Sequence, residues 1–478
     1  MEKKQLIKLC IVLILSVIAW VIPPEYIGLP NLSIIEQRVV SIFIFAALMW
    51  ILEVIPIWTT SVLVIVLMLL TVSNNQLSLL DYRDMDNFGT MVNYKSIMAT
   101  FADPIIMLFM GGFALAIAAT RCGLDINLAR VLLKPFGTKS EVVVLGFMIV
   151  TAIFSMFMSN TATAAMMLAI VTPVLRMLPR DGKGRISLAL SIPVAANIGG
   201  IGTPIGTPPN AIALRYIQSP ESGLDIQIGF GQWMLVMVPF VIILLVFAWL
   251  LLIKLFPFKQ KNFEINIKGE FKRDTRSIIV YITFGVTVIL WLLDTKTGLN
   301  SNIVAMIPLA VFCITGIIGK EELKQINWDV LWLVAGGFAL GVGLQGSGLA
   351  KSIIGAIPFG EWSPLVVFAG SGLICYVMSN FMSHTASSAL LVPILATVAV
   401  GMGDSIEPYG GITTMLAGVA VSSSLAMVLP ISTPPNALAH ATGATKQKDM
   451  AVVGIIVGLV GIVLGYLILM GASKLGLL

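Results

Sequence analysis

Two polar tripeptides stand inside strongly apolar stretches, and their side chains have the chemistry to bind an anion. Ser159-Asn160-Thr161 follows Phe157-Met158, and Ser383-His384-Thr385 follows Phe381-Met382. Hydroxyl and amide groups, together with backbone N–H groups freed where a helix stops, ligate carboxylates without burying a fixed charge. Packing of small polar residues between helices is the alternative for one such motif. Its repetition favours two halves of one binding site.

Other landmarks around the tripeptides also occur twice and in the same order. The stretch from Gly111 to Leu115 returns from Gly336 to Leu340, and Thr207-Pro208-Pro209-Asn210 returns as Thr433-Pro434-Pro435-Asn436. The near-constant offset indicates an internal duplication. Because proline removes a backbone donor and clashes with the preceding turn, each Thr-Pro-Pro-Asn segment predicts an unwound break within a span, with a simple kink as the alternative.

The composition places these motifs in a membrane. Of 478 residues, 58% are hydrophobic and 11% are charged, and the mean hydropathy is +0.98, which one soluble core cannot accommodate. We therefore predict an all-α polytopic membrane protein of about eleven transmembrane helices plus two re-entrant hairpins. No signal-peptide cleavage site follows Met1, so we expect the first span to be retained. The net charge of +5 belongs mainly to loops and indicates orientation, not nucleic-acid binding.

The distribution of basic residues predicts the topology. They cluster before the first span, around Arg130, around Arg176 and Arg180, and in residues 254–276, which include Lys268. These loops are expected to be cytoplasmic. The predicted spans lie near 6–23, 38–55, 57–72, 105–135, 186–216, 228–255, 277–294, 301–318, 330–357, 411–441 and 450–473.

This path places the N-terminus inside and the C-terminus outside, in what we expect to be the plasma (inner) membrane. Residues 139–178 and 362–400 then enter and leave on one side, as re-entrant hairpins with the tripeptides at their breaks. The chain divides into an N-terminal transmembrane helix, a first repeat, a basic linker and a second repeat, at residues 1–37, 38–256, 257–276 and 277–478. The repeats are inverted, as in many secondary transporters, and the inversion depends on the span count.

The paired tripeptides and the two Thr-Pro-Pro-Asn breaks resemble the divalent anion:sodium symporter (DASS) family of dicarboxylate and tricarboxylate transporters. The resemblance runs from Asp103 to Asn436. It implies a homodimer in which a static scaffold supports a moving transport domain, built from both hairpins and the spans around 186–255 and 411–473. Substrate would cross by an elevator motion. No cofactor is implied beyond Na+ as a coupling ion.

Carried over by position, the resemblance implies contacts with both carboxylates of a substrate. The substrate-binding residues would be Ser159, Asn160, Thr161, Thr207, Pro208, Ser383, His384, Thr385, Thr433 and Pro434. A first sodium ion would be held by Ser155, Ser159, Asn160 and Gly206, and a second by Ser379, Met382, His384 and Ser432. No catalytic residue is implied.

His384 departs from the family pattern, which has asparagine in both tripeptides. An imidazole nitrogen is a poor sodium ligand and an imidazolium repels sodium, which puts the second site in doubt. The four motifs contain no Lys or Arg, so a buried dianion needs sodium or a protonated His384 as compensation. We therefore favour anion exchange over sodium-coupled symport, with a neutral histidine that replaces the asparagine hydrogen bond as the alternative.

Two other classes compete with a carrier. An intramembrane hydrolase would use Ser383 and His384, but the chain has no zinc-protease motif and no nucleophile elbow. A channel could be built from paired re-entrant loops. Among carriers, the motifs leave the substrate open between malate, succinate, 2-oxoglutarate, citrate and sulfate. Charged residues at span ends, including Glu53, Asp103 and Arg121, are expected to cap helices or form ion pairs.

Overall fold

The computed structural model describes residues 3–27, 29, 32–179, 182–218, 226–262, 271–356, 358 and 361–478. The regular secondary structure of these ranges is helical, and their β-structure is limited to two isolated bridges. Arg180, Lys268 and residues 263–270 of the predicted basic linker lie outside the described residues. The prediction of an all-α polytopic membrane protein is confirmed.

The helices of the first half of the chain carry the first tripeptide. In order they are α1 (Lys3–Val21), α2 (Ile34–Leu52), α3 (Ile57–Thr71), α4 (Tyr94–Ala99), α5 (Pro104–Arg121), α6 (Leu124–Leu133), α7 (Ser140–Phe157), α8 (Asn160–Met177), α9 (Lys183–Gly200), α10 (Pro208–Ile217) and α11 (Phe230–Leu255).

The helices of the second half repeat this order in part. They are α12 (Thr275–Leu292), α13 (Asp294–Thr297), α14 (Ser301–Ile314), α15 (Lys320–Leu323), α16 (Trp328–Gly346), α17 (Leu349–Ala356), α18 (Pro364–Phe381), α19 (His384–Met402), α20 (Gly411–Ser424), α21 (Pro434–Ala441) and α22 (Gln447–Lys474).

Ten helices in the described part are long and apolar enough to cross a membrane. They include α7, α18 and α19 of the predicted hairpins, where 18 residues give a helix of about 27 Å. Helices α3, α14 and α20 are apolar but shorter. The predicted spans 186–216 and 411–441 each consist of two helices with an unwound segment between them, as the Thr-Pro-Pro-Asn motifs predicted.

Two predicted spans end earlier than expected. The span 105–135 divides between α5 and α6 at Gly123, and the span 330–357 divides between α16 and α17 at Gly348. Both glycines have positive φ, +68° and +90°, a conformation that glycine adopts without steric cost and that turns the chain out of the helix. Corresponding glycines therefore separate a short second helix from the long one in both repeats.

The tripeptides end one helix and begin the next in the same way. Met158 and Met382 have extended backbones that terminate α7 and α18. The hydroxyls of Ser159 and Ser383 then cap α8 and α19, accepting from the N–H groups of residues 162 and 386 at 3.2 and 3.1 Å. Serine at this position satisfies an N–H that the first turn leaves unpaired, so the break follows from the local sequence.

The helices after the unwound segments cross between the repeats. Helix α10 of the first repeat packs on α19 and α20 of the second, while α21 of the second packs on α8 and α9 of the first. A separate group of contacts joins α3 to α16 and α5 to α14. The crossed packing brings both tripeptides and both breaks to one place.

Candidate substrate-binding site

One cavity of about 380 Å³ lies where the two repeats meet. All ten residues predicted to contact substrate line it, as do Gly206 and Ser432 from the predicted sodium sites. The volume lies within the range of small-molecule pockets. The structure thus brings together, around one cavity, residues that are far apart in the sequence. The first and last of them, Ser159 and Pro434, are more than 270 positions apart.

Four helices begin at this cavity. Helices α8, α10, α19 and α21 start at Asn160, Pro208, His384 and Pro434, and each of these residues lines the cavity. Helix N-termini carry partial positive charge and unpaired N–H groups, which favour anions. Helices α10 and α21 each begin with two prolines, which have no N–H, so α8 and α19 supply the first-turn N–H groups. No lysine or arginine is among the described residues that line the cavity. The groups there that could bind an anion are therefore helix ends and hydroxyls.

The asparagine of each Thr-Pro-Pro-Asn motif holds its unwound segment in shape. The Asn210 side-chain amide donates to the carbonyls of Ile201 and Thr203 at 3.2 and 2.8 Å. Asn436 donates to the carbonyls of Met427 and Leu429 at 2.8 and 3.1 Å, which are the same positions in the second repeat. Buried carbonyls without a partner are costly, so this explains why the motif ends in asparagine.

A hydroxyl also ties each unwound segment to its hairpin. Thr203 donates through its hydroxyl to the Met156 carbonyl, and Ser432 donates to the Asn380 carbonyl at 2.9 Å. Met156 and Asn380 occupy equivalent places before the two tripeptides. Each break and its hairpin tip are therefore held together as one unit.

Three residues of the predicted first sodium site converge on a cluster of oxygens. The Asn160 amide end lies 3.2 Å from the carbonyl oxygens of Gly206 and Ala196, and 2.6 Å from the Ser155 hydroxyl. If Nδ2 of Asn160 faces these atoms, the amide donates hydrogen bonds to them. If Oδ1 faces them instead, all the atoms of the cluster that face one another are oxygens, the ligands that hard cations require. Only the second orientation would suit a cation, so the predicted sodium site stays a prediction.

Glycine is the only residue type that fits at position 206 beside this cluster. A Cβ atom there would lie 2.3 Å from the carbonyl oxygen of Gly200, a separation that backbone atoms cannot relieve cheaply. The fourth predicted ligand, Ser159, instead uses its hydroxyl to cap α8.

The corresponding place in the second repeat has a different hydrogen-bond arrangement. His384 donates from Nε2 to the Ala426 carbonyl at 2.7 Å, and its side chain is buried. Ser379 and Ser423 lie 3.0 Å apart, and the Ser423 hydroxyl donates to the His384 carbonyl at 2.9 Å. Met382 ends α18. The ring N–H is directed at a carbonyl oxygen, where a sodium site would need oxygens directed at the ion.

Sequence motifs did not indicate several residues of the cavity wall. Asn197, in the last turn of α9, is fully buried, lines the cavity and donates to the Thr433 hydroxyl of the other repeat at 3.4 Å. An asparagine within an apolar helix was the available signal. Asn327 and Asp329 also line the cavity, together with the apolar Ile57, Trp58, Phe109, Phe113, Val330 and Leu333.

Two of the three charged residues singled out at span ends, Asp103 and Arg121, form a cap or an ion pair, whereas Glu53 occupies the C-cap position of α2 in the left-handed conformation. Asp103 caps α5 and pairs with Arg215 at 2.8 Å. Arg121 pairs with Glu322 at 2.5 Å. The hydrogen bond from the Gly319 N–H and the charge of Arg121 lower the pKa of the Glu322 carboxyl group. Arg121 and Glu322 line a second cavity of about 370 Å³, and Ser159 lines both this cavity and the first one.

The sequence model of one family, described as a citrate transporter, matches residues 47–415. The chain is 32% identical to the sodium-dependent dicarboxylate transporter SdcS of Staphylococcus saprophyticus over 469 residues, which cover 91% of this chain and 85% of that protein. It is 33% identical to an uncharacterized transporter of Haemophilus influenzae over 394 residues, covering 78% and 82% of the two chains.

Solved structures share the fold at low sequence identity. The YdaH transporter of Alcanivorax borkumensis matches 88% of this chain and 98% of its own, with a TM-score of 0.57 at 13% identity. MtrF of Neisseria gonorrhoeae gives a TM-score of 0.53 at 11% identity, covering 86% and 94%. The family and the relatives are transporters, which excludes the hydrolase alternative. The resemblance drawn from the motifs is confirmed: the chain belongs to the citrate transporter family and is homologous to the sodium-dependent dicarboxylate transporters of the DASS group.

Proposed function

We propose that the protein is a secondary active carrier of C4 and C5 dicarboxylates, with substrate bound between the two hairpin tips. The observation that carries the proposal is the meeting of four helix N-termini and two hydroxyl-rich tripeptides at one cavity, with no Lys or Arg among its described lining residues. Such a site attracts anions through the four helix dipoles and through the N–H groups of α8 and α19. The relative SdcS, named for sodium-dependent dicarboxylate transport, supports the same substrate class.

The geometry suggests how a dicarboxylate would be held. Ser159 and Thr161, at the start of α8, would donate to one carboxylate, and Ser383 and Thr385, at the start of α19, to the other. Thr207 and Thr433, which precede α10 and α21, would complete the shell. A monocarboxylate would fill one half of this site and leave the other half unsatisfied.

Two coupling modes remain for this carrier, and each has an observation in its favour. Sodium symport through a single ion is supported by the oxygen cluster of Ser155, Asn160 and Gly206 and by the sodium-dependent relatives. Exchange is supported by His384, whose ring N–H takes the place of a second ion ligand. A buried imidazolium would hinder the return of the empty carrier, whereas a neutral ring would not.

We further propose the elevator arrangement and the homodimer that the family resemblance implies. Helices α7 to α11 and α18 to α22 form one set of contacts around the cavity, α3, α5, α14 and α16 form another, and α16 packs on α19 where the two sets meet. The first set would be the transport domain and the second part of the scaffold. The N-terminus would be cytoplasmic and the C-terminus external.

Uptake of labelled succinate into proteoliposomes tests the proposal. Vesicles are preloaded with unlabelled succinate or left empty, and sodium is present or replaced by choline. Saturable uptake in preloaded vesicles is expected. If uptake in empty vesicles requires an inward sodium gradient, the carrier is a symporter; if preloading is required and sodium is not, it is an exchanger. Absence of saturable succinate uptake under all four conditions would contradict the proposed function.

A further inference from the structure

A single carboxylate stands on the wall of the candidate anion site. Asp329 lies in the first turn of α16, is exposed, and lines the same cavity as the two tripeptides. Among the described lining residues it is the only acidic side chain, and none is Lys or Arg. An acidic group in a site for anions needs a reason, because it repels the substrate at short range.

In the first repeat, the acid at the start of the corresponding helix is paired. Asp103 caps α5, and its carboxylate pairs with Arg215 of α10 at 2.8 Å. By the offset between the Gly-Gly-Phe motifs, Asp103 corresponds to Trp328, the residue before Asp329. In the second repeat the position that corresponds to Arg215, by the offset between the Thr-Pro-Pro-Asn motifs, is Ala441. The ion pairs of the described residues do not include Asp329. The second repeat thus carries an acid one residue beyond the position of Asp103, with alanine at the position of its basic partner.

We propose that Asp329 makes the site selective for dicarboxylates over tricarboxylates. The inference rests on the proposed function, since it assumes that the two tips hold two carboxylates. A third carboxylate on the substrate would be held by neither tip and would share the cavity with Asp329. Its charge would be opposed there by a fixed negative charge, with no basic residue among the described lining residues to offset it.

The other reading of Asp329 is structural. An acidic residue in the first turn of a helix stabilises the helix by interaction with its N-terminal dipole. That role predicts a loss of stability on neutralisation and no change in preference between substrates. The two readings therefore differ in selectivity, which is independent of the amount of folded protein.

The test measures inhibition of labelled succinate counterflow by unlabelled succinate, citrate and tricarballylate, a tricarboxylate without the hydroxyl of citrate. For each tricarboxylate we take the ratio of its half-inhibitory concentration to that of succinate. In D329N this ratio should fall about fivefold to tenfold for both citrate and tricarballylate, as expected when one partly screened repulsion between two negative charges is removed. D329E should keep the wild-type ratios. Asp86→Asn, at an exposed loop position away from the cavity, is the matched control and should also keep them.

Unchanged ratios in D329N, or a change for citrate but not for tricarballylate, would overturn the inference. A change in sodium dependence with unchanged ratios would also overturn it, because Asp329 would then act on the cation. Failure of the proposed function is distinguishable, since it would appear as absence of succinate counterflow in the wild-type protein.

Discussion

At the scale of single residues, the two tripeptides are alike in how they start a helix and different in what their middle residue does. Asn160 turns its amide toward two carbonyls and a hydroxyl, while His384 donates a ring N–H to one carbonyl. The amide can reverse its polarity and present oxygen to a cation, which an imidazole cannot do. The chemical difference between the repeats is therefore concentrated at one position.

Substitution of His384 by asparagine should introduce or strengthen sodium dependence. An amide oxygen at this position would restore a ligand beside Ser379 and Ser432, so the Hill coefficient for sodium in succinate uptake should rise from about one toward two. The measurement is the initial uptake rate against sodium concentration. His440→Asn, at the other histidine of the chain and away from the cavity lining, is the control. An unchanged sodium response in H384N would show that the ion sites depend on other residues.

At the scale of elements, the unwound segments are stabilised by the asparagines that end them. Each side chain bonds carbonyls that the break has freed from helical pairing. The motif thus contains both the proline that prevents a helix and the amide that compensates for its absence. The sequence identified the breaks, but the partners of the asparagines became visible only with the fold.

Replacement of Asn436 by alanine should destabilise the protein by about 1–3 kcal/mol, because two buried carbonyls lose their donor. Asn210→Ala should have an effect of similar size, since its contacts are equivalent. The free energy of unfolding in detergent, obtained from denaturant titration, measures both effects. Asn75→Ala, at an exposed loop residue, provides the baseline. Equal stability of N436A and N75A would contradict the role assigned to the asparagine.

At the scale of the whole molecule, sequence and structure agree where local chemistry decides the backbone. Serine caps and Thr-Pro-Pro-Asn motifs fixed the positions of the four breaks, and composition fixed the membrane class. Span ends at Gly123 and Gly348 were missed, because a positive φ at one glycine is not visible in a hydropathy pattern. Asn197 and Asp329 were missed because only the packing of distant helices brings them to the cavity.

The crossed packing of α10 and α21 is what unites the two repeats into one site. Neither helix has a sequence pattern that predicts which helix of the other repeat it packs against. The duplication therefore indicated two half-sites but not that they lie side by side. The proposed function therefore requires, above all, that both repeats bind one substrate molecule.

A structure of the purified protein with bound succinate tests that claim most directly. The account predicts density for one succinate in the cavity, with one carboxylate within hydrogen-bond distance of Ser159 or Thr161 and the other within reach of Ser383 or Thr385. Butyrate, with a single carboxylate, should give no ordered density at the same concentration. Succinate bound outside the cavity, or held by one tip alone, would contradict a site shared by the two repeats.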